Sequence, residues 1–472
     1  MGGQSKSVES SPSTFFRRNL VLTGLVLLIT LLQVFCIVPH AVTAPAFSSF
    51  TVYYPLYLTR GSYLYPVKYF VPVTQTPAKA SMEALIAGLP NTGGAMLINL
   101  PKDVKVLGIT IRDGMCTVNF SEAIRKLNVG SGGEAIVISA IVNTLSQFPG
   151  VNSVSILVEG KPAESLAGHV DISSPLVKSD TPVFQVLDDV TQHWAGGAVA
   201  ALEVRDIVNG YEDGTFRPEK KVTRAEFLKM LVQGLGLADD TSMDVPFKDV
   251  SGHWALPAVR KAVSCGLVKV SDYGEYLRPD EVIPREEMAA LLLNASSIYL
   301  SAHPDVQYEA VDPAIVFSDL DSIQERYRTQ VLQSARLGLL RGFPDGTFRP
   351  KEGLSRAQAA TVIARMLGMK ESTSIVLMTP PAGFKWDGKS FSALGIASAF
   401  EANVNLRVTG TGNTKILDSF VTTTQGMGWG GFGAYVDGAL LAGQSPVSFD
   451  LYLVNMENGR EYSTITLPLN MK

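Results

Sequence analysis

The residues with the most chemical potential recur along the chain. Gly210-Tyr-Glu-Asp-Gly-Thr-Phe-Arg-Pro218 runs into Thr223-Arg-Ala-Glu226, and Gly342-Phe-Pro-Asp-Gly-Thr-Phe-Arg-Pro350 runs into Ser355-Arg-Ala-Gln358. In both, a tight turn delivers an arginine to a helix start. Thr223-x-x-Glu226 and Ser355-x-x-Gln358 fit the capping box, in which the hydroxyl and the third residue's side chain each satisfy one helix-end amide. Tyr273-Gly-Glu-Tyr-Leu-Arg-Pro279, leading to Pro284-Arg-Glu-Glu287, is an altered third copy. Arg224, Arg285 and Arg356 thereby occupy a first helical turn, where the positive end of the dipole disfavours a cation by about 0.3–1 kcal/mol. An anion held jointly by helix-end amides and a guanidinium fork would reverse that sign, and a carboxylate fits the geometry. Two plainer readings stand beside it: an ion pair with Asp189, Asp249 or Asp319 of a neighbouring repeat, or simple solvation.

The elements that must position these arginines form a tandem repeat with a period of roughly 60 to 70 residues. Each unit opens on an acidic-apolar step (Asp189-Val190, Asp249-Val250, Asp319-Leu320), reaches an aromatic residue (Trp194, Trp254, Tyr327) and continues through a helix, the turn and the arginine-led helix. Phe227, Met230, Leu231 and Leu235, and then Ala359, Val362, Ile363 and Met366, give the arginine-led helices one apolar stripe each, which reads as core. The repeats are expected at 184–240, 241–303 and 304–370. Ahead of them, residues 47–165 mix strand-like runs with two helices, one opening at Thr76-Pro77 and one over Glu134 to Gln147, with Asp113-Gly114 as a hairpin turn. That pattern is α/β. Residues 166–183 read as a linker. Residues 371–472 carry short alternating segments with Gly-rich turns at Gly410-Thr-Gly412 and Gly428-Trp-Gly-Gly431, the composition of a small all-β sandwich. At the front, Arg17-Arg18, an apolar run from Leu20 to Val38 and the small-residue stretch Ala41 to Ala46 follow the grammar of a secretory signal. Residues 1–46 are thus expected to be a signal peptide or, uncleaved, a membrane anchor.

A chain of 472 residues exceeds one hydrophobic core and suggests several globular units. With 40 basic against 44 acidic residues, a net charge of −4 provides no broad positive field, which argues against nucleic acid as a partner. Three cysteines, one of them in the N-terminal apolar run, do not make a disulfide framework. His193 and His253 recur at equivalent positions beside tryptophan, a structural periodicity. No metal-ligand spacing, phosphate loop or nucleophile elbow is present, and the carboxylates share no strand or helix face. No catalytic residue, metal or cofactor is assigned.

Three stretches resemble known families. Residues 77–90, 100–111 and 141–160 resemble, in order and spacing, the GerMN domain of bacterial sporulation and spore-germination proteins, which implies a non-catalytic module for contacts in the envelope. The repeats, complete from about Phe184 to Met369, resemble the S-layer homology domain. That implies a mainly α-helical triplet with pseudo-threefold symmetry, binding secondary cell-wall polysaccharide, often pyruvylated, in grooves between repeats. The family's groove arginine falls on Arg224 and Arg356. Arg285 aligns too, but its altered cap and turn imply the weakest groove. Asp189, Asp249, Asp319, Gly214, Gly346, Trp194 and Trp254 complete the implied binding set. For the two glycines a positive-φ turn is the first explanation, and for the two tryptophans packing precedes sugar stacking. Pro380-Pro-Ala-Gly383, Phe400 to Val408 and Gly428 to Phe432 resemble the immunoglobulin-like domain of bacterial spore germination. Together the resemblances imply a secreted, non-catalytic protein of the cell wall, cell surface or spore envelope. Other envelope or spore proteins are its further partners, and it meets a membrane only through an uncleaved N-terminal segment. A sporulation assembly factor and a wall-modifying enzyme delivered by the triplet are the alternatives.

Overall fold

The computed structural model describes residues 45–237, 243–308, 311 and 317–469. The expected signal segment lies outside them as far as residue 44. Among the described residues no helix is long and apolar enough to cross a membrane. Strands β1 (Phe47–Leu58) and β2 (Gly61–Pro72) form a long antiparallel hairpin. Helix α1 (Pro77–Ala87) starts on its proline, as expected, although Thr76 makes no side-chain cap bond. Strands β3 (Val106–Arg112) and β4 (Met115–Phe120) turn on Asp113 and Gly114 at φ of 50° and 82°. Helix α2 (Ser131–Leu145) then crosses to β5 (Ser153–Val158), which lies parallel to β4, and β6 (Lys161–Pro162) completes the sheet order β3-β4-β5-β6. The chain beyond β6 is held by Glu134 of α2. This buried carboxylate accepts the amides of Leu166, Ala167, His169 and Val170 at 2.7–3.2 Å.

Each repeat contributes two helices: α3 (Gly196–Val204) and α4 (Arg224–Gly234), α5 (Leu256–Ser264) and α6 (Arg285–Ala302), α7 (Glu325–Arg336) and α8 (Arg356–Met366). Both capping boxes form as the sequence predicts, Thr223 with Glu226 and Ser355 with Gln358. Just before the arginine-led helices the three chains meet in a closed ring of backbone hydrogen bonds. The Val222 amide donates to Leu354, Leu354 to Ile283 and Ile283 back to Val222, at 2.8, 3.1 and 3.0 Å.

The C-terminal part supplies β7 (Lys370–Glu371), β8 (Ile375–Thr379), β9 (Phe391–Ser398), β10 (Asn403–Gly410), β11 (Lys415–Thr422), β12 (Trp429–Val436), β13 (Pro446–Val454) and β14 (Glu461–Pro468). Strands β11-β10-β13-β14 make one sheet; β12, β9, β8 and β7 join β1 and β2 in the other, in the order β1-β2-β12-β9-β8-β7. The N-terminal hairpin thus extends the sandwich, with β2 parallel to β12 over Lys68–Phe70 and Ala434–Val436. The Gly-rich stretch from Gly428, read from sequence as a turn, is strand β12 from Trp429 onward. Its glycines reflect close approach: a Cβ at Gly431 would come within 2.9 Å of the Tyr65 ring, and one at Gly433 within 2.7 Å of Val67. Trp429 is seated on Gly196 and Gly197 of α3 and donates its indole N–H to the His193 carbonyl at 3.1 Å. One hydrophobic core consequently runs from Phe50 through the repeats to Trp429.

Candidate functional site

The turn of each repeat is built around its aspartate. Asp189 accepts the amides of Phe216 and Arg217, Asp249 those of Leu277 and Arg278, and Asp319 those of Phe348 and Arg349, all at 2.6–3.0 Å. Arg217, Arg278 and Arg349 sit at φ of 55–57°, a left-handed conformation disfavoured for non-glycine residues, and the carboxylate bonds help hold it. The aspartates therefore shape the turn instead of pairing with a neighbour's arginine. Gly214 and Gly346 have φ of 78° and 80°, and a Cβ would meet nothing at Gly214 and only an ordinary contact with Ser318 at Gly346, so backbone conformation explains them.

The helix-end amides are also occupied. The first two of each arginine-led helix donate to the turn of the next repeat around the ring: Arg224 and Ala225 to Glu281 and Pro279, Arg285 and Glu286 to Glu352 and Pro350, Arg356 and Ala357 to Lys220 and Pro218. The expected convergence of amide and guanidinium on one anion is thus absent. The arginine at a helix start is explained by carbonyls of the same neighbouring turn. Arg285 donates to Phe348 and Arg341 at 2.8 and 3.3 Å, and Arg356 to Phe216 and Asn209 at 2.9 and 3.1 Å. Their guanidinium carbons lie over aromatic rings of that turn, 4.8 and 4.9 Å from the Phe343 and Phe348 centroids for Arg285, and 4.9 and 4.4 Å from those of Tyr211 and Phe216 for Arg356.

Because each arginine serves the next repeat, the altered turn of the second repeat faces Arg224 and leaves Arg285 against the intact turn of the third. Arg224 is the one that differs. Its Nε and Nη2 donate to both oxygens of Glu287 at 2.5 and 2.9 Å, and Nη1 donates to Leu277 and Arg278. Tyr273 adds its hydroxyl to the same carboxylate at 2.9 Å. Glu287 is free to do this because Pro284 lacks both the hydroxyl and the N–H of a capping box. Arg224 and Glu287 are both buried. Among the described residues no carboxylate hydrogen-bonds to Arg285 or Arg356, and their Nη1 atoms have no hydrogen-bond partner. Burial pulls Arg285 down to about 10 and lowers Arg356 as well, whereas at Arg224 burial is outweighed by Glu287 and the pKa is raised.

The tryptophans do not pack as the sequence reading favoured. Trp194 and Trp254 are 60% and 54% exposed, while their counterpart Tyr327 is 8% exposed. Trp194 lines a cavity of about 250 Å³ with Arg285, Gly342, Phe343, Gln358 and Thr361. One groove therefore combines a buried cation, an exposed indole and polar walls, a surface suited to a sugar bearing an acid. The sequence reading missed Glu287, whose signal was an acid at the third helix position with no hydroxyl to cap. It also missed Arg341 and Arg365, which line the same cavity and carry no repeat signature.

Residues 51–164 match the sporulation and spore germination family. Residues 187–228, 246–289 and 316–360 match the S-layer homology domain, and residues 374–459 the immunoglobulin-like domain of bacterial spore germination. The chain carries all three modules in that order. Around its S-layer homology triplet it is similar to an amylopullulanase of Thermoanaerobacterium thermosulfurigenes, 33% identical over 43% of this chain and 11% of that protein. It is similar to an S-layer protein of Bacillus thuringiensis subsp. finitimus, 29% identical over 38% of this chain and 21% of that one. A cellulosome-anchoring protein of Acetivibrio thermocellus is 34% identical over 24% and 26%. The chain thus spans at most about a quarter of these relatives' lengths. Among solved structures, the tandem GerMN domains of the sporulation protein GerM from Bacillus subtilis are 25% identical, with a TM-score of 0.26 over 31% of this chain and 50% of that chain.

Proposed function

We propose that the chain is a non-catalytic surface protein whose S-layer homology triplet binds secondary cell-wall polysaccharide non-covalently, holding the GerMN and immunoglobulin-like modules at the wall. The observation that carries this reading is the pair of buried guanidinia, Arg285 and Arg356, which among the described residues make no direct ion pair, one of them in a groove edged by an exposed tryptophan. A pyruvyl carboxylate on the polymer is the ligand group that fits them. Arg224 already holds such a carboxylate in Glu287, so the triplet has two working grooves. The cyclic hand-over of hydrogen bonds supports reading the three repeats, 184–240, 241–303 and 304–370, as one mainly helical pseudo-threefold unit between modules at 47–165 and 371–472. The S-layer and anchoring relatives favour the cell wall as its location, and the two germination-type modules extend the proposal to the spore envelope.

Co-sedimentation with purified wall sacculi tests it. Arg285→Ala combined with Arg356→Ala is expected to lower affinity tenfold or more, since a charge-assisted hydrogen bond contributes about 1.5–3 kcal/mol. Removal of pyruvyl groups from the sacculi has the same effect. Trp194→Ala with Trp254→Ala, at exposed positions where folding is preserved, weakens binding as well. Undiminished binding by a folded double-arginine variant would overturn the assignment. A contact role for the GerMN module is favoured by Leu107, Ile111 and Met115, which stand exposed on β3 and at the start of β4; cross-linking in envelope fractions tests it, and no product through that strand rejects it.

A further inference from the structure

One end of the immunoglobulin-like module carries side chains that the triplet's chemistry does not use. Between β9 and β10 the backbone turns through two successive left-handed residues that are not glycine, Glu401 and Ala402, at φ of 56° and 61°. The Thr423 amide donates to the Ala402 carbonyl at 2.6 Å and pins this turn. Such a conformation is disfavoured for residues with a Cβ, and here it holds the Phe400 ring 60% exposed. Phe400 borders a cavity of about 230 Å³ whose lining includes Tyr462 and Met456, both exposed, together with Glu401, Asn403 and Asn405. Asn403 and Asn405 lie two apart on β10, on the face that alternation turns away from the sandwich core. Among the described residues neither amide side chain, nor the Glu401 carboxylate, nor the Tyr462 hydroxyl has a hydrogen-bond partner.

Charge decides the class of ligand. No lysine or arginine is among the lining residues, and the arginine of β10, Arg407, is held by both oxygens of Glu461 at 2.8 and 3.1 Å. An anionic polymer therefore finds no counter-charge here. An apolar peptide would cover two amides and a carboxylate without supplying partners for them, which is costly. A neutral sugar meets both demands: its C–H face rests on an aromatic ring while its hydroxyl or acetamido groups take up the amides and the carboxylate. We propose that this cavity binds a neutral sugar, a hexose or an N-acetylhexosamine within a chain, at a site separate from the arginine grooves of the triplet. The site stands whether or not the triplet binds an anionic polymer.

Calorimetric titration of the full chain with two uncharged probes tests it and separates the two sources of such a sugar: a β-1,4-linked N-acetylglucosamine tetramer, and wall-polysaccharide fragments stripped of pyruvyl groups. One probe or both are expected to bind at a single site per chain. Phe400→Ala and Asn405→Ala should each weaken that binding by about tenfold or more. Phe400→Trp, which keeps a ring, should retain it, and Arg285→Ala with Arg356→Ala should leave it unchanged. The Phe400→Trp chain also gives a second readout, because its added indole emission moves to the blue when a sugar covers it; an unmoved spectrum at saturating probe overturns the site even where the alanine variants fail to fold. So does binding by neither probe, binding that survives both alanine substitutions, or binding lost with the two arginines instead. A chain that binds no sugar but forms a dimer that Phe400→Ala dissolves would assign the patch to a second copy and overturn the proposal as well.

Discussion

Arg224, Arg285 and Arg356 share a helix position and a direction, yet one of them is chemically different, and the difference traces to a single proline. A capping box holds the acid at the third helix position through a hydroxyl and an amide. Pro284 removes both, and Glu287 turns to the guanidinium of the preceding repeat's arginine. The second repeat thereby carries an internal substitute for the carboxylate that the other two arginines lack. Pro284→Ser should restore the box, draw Glu287 away from Arg224 and open a third groove. Titration with a pyruvylated fragment then reads three sites per chain in place of two; a stoichiometry that stays at two would show that the cap does not control Glu287. Arg224→Ala, in contrast, leaves polymer binding intact and lowers stability by about 3–5 kcal/mol, because it strands a buried carboxylate. A denaturant midpoint that does not move would remove that distinction.

At the scale of elements, the seam between the N-terminal hairpin and the first repeat also buries a carboxylate, Glu203. The tip of the β1–β2 hairpin places Arg60 against Glu203 of α3, with further bonds from Arg60 to the Gln185 carbonyl and the Tyr63 hydroxyl. Burial pushes Glu203 up to about 7, with Asp206 adding repulsion, despite the pull of Arg60. A raised carboxyl pKa means that the folded state holds the proton more firmly than the unfolded one. Its contribution is fully present below the ordinary carboxylate range near 4.5 and is lost as pH rises through about 7. Stability should therefore fall between pH 5 and 7.5, by on the order of 2–3 kcal/mol from this group. Thermal unfolding across that range checks it, and Glu203→Gln should flatten the slope; an equal slope in the variant assigns the effect elsewhere.

Across the whole molecule, sheet pairing and one hydrophobic core join the modules that the family matches divide. The Tyr65 hydroxyl of the hairpin donates to the Gly395 and Phe432 carbonyls of the sandwich at 2.9 and 3.0 Å, and the Trp429 indole fills the space left by Gly196 and Gly197. Trp429→Ala opens a cavity at the meeting of repeat and sandwich and should cost about 3–5 kcal/mol. The expected signature is one cooperative transition moved to lower temperature for helix and sheet signals together. Two transitions, with only the sheet signal shifted, would mean that the modules fold independently.

Local signals in the sequence were sufficient for the parts. The capping hydroxyls, the Asp-Gly turns, the helical stripes and the hairpin at Asp113-Gly114 are set by interactions within a few residues, and each was legible. The placement of arginines at helix starts was legible too, together with the need to explain it. What answered that need lies about sixty residues away in sequence for Arg224 and Arg285, and about 140 for Arg356, because the repeats close into a ring and each side chain meets the next repeat's turn. Only tertiary structure could decide that Arg224, not Arg285, faces the altered turn. Only it could exchange the expected helix-end amides for neighbouring carbonyls as the arginines' setting. The same holds for the glycines of β12: as a local string they favour a turn, and the close approach of Tyr65 and Val67, more than 350 residues earlier, makes them a strand.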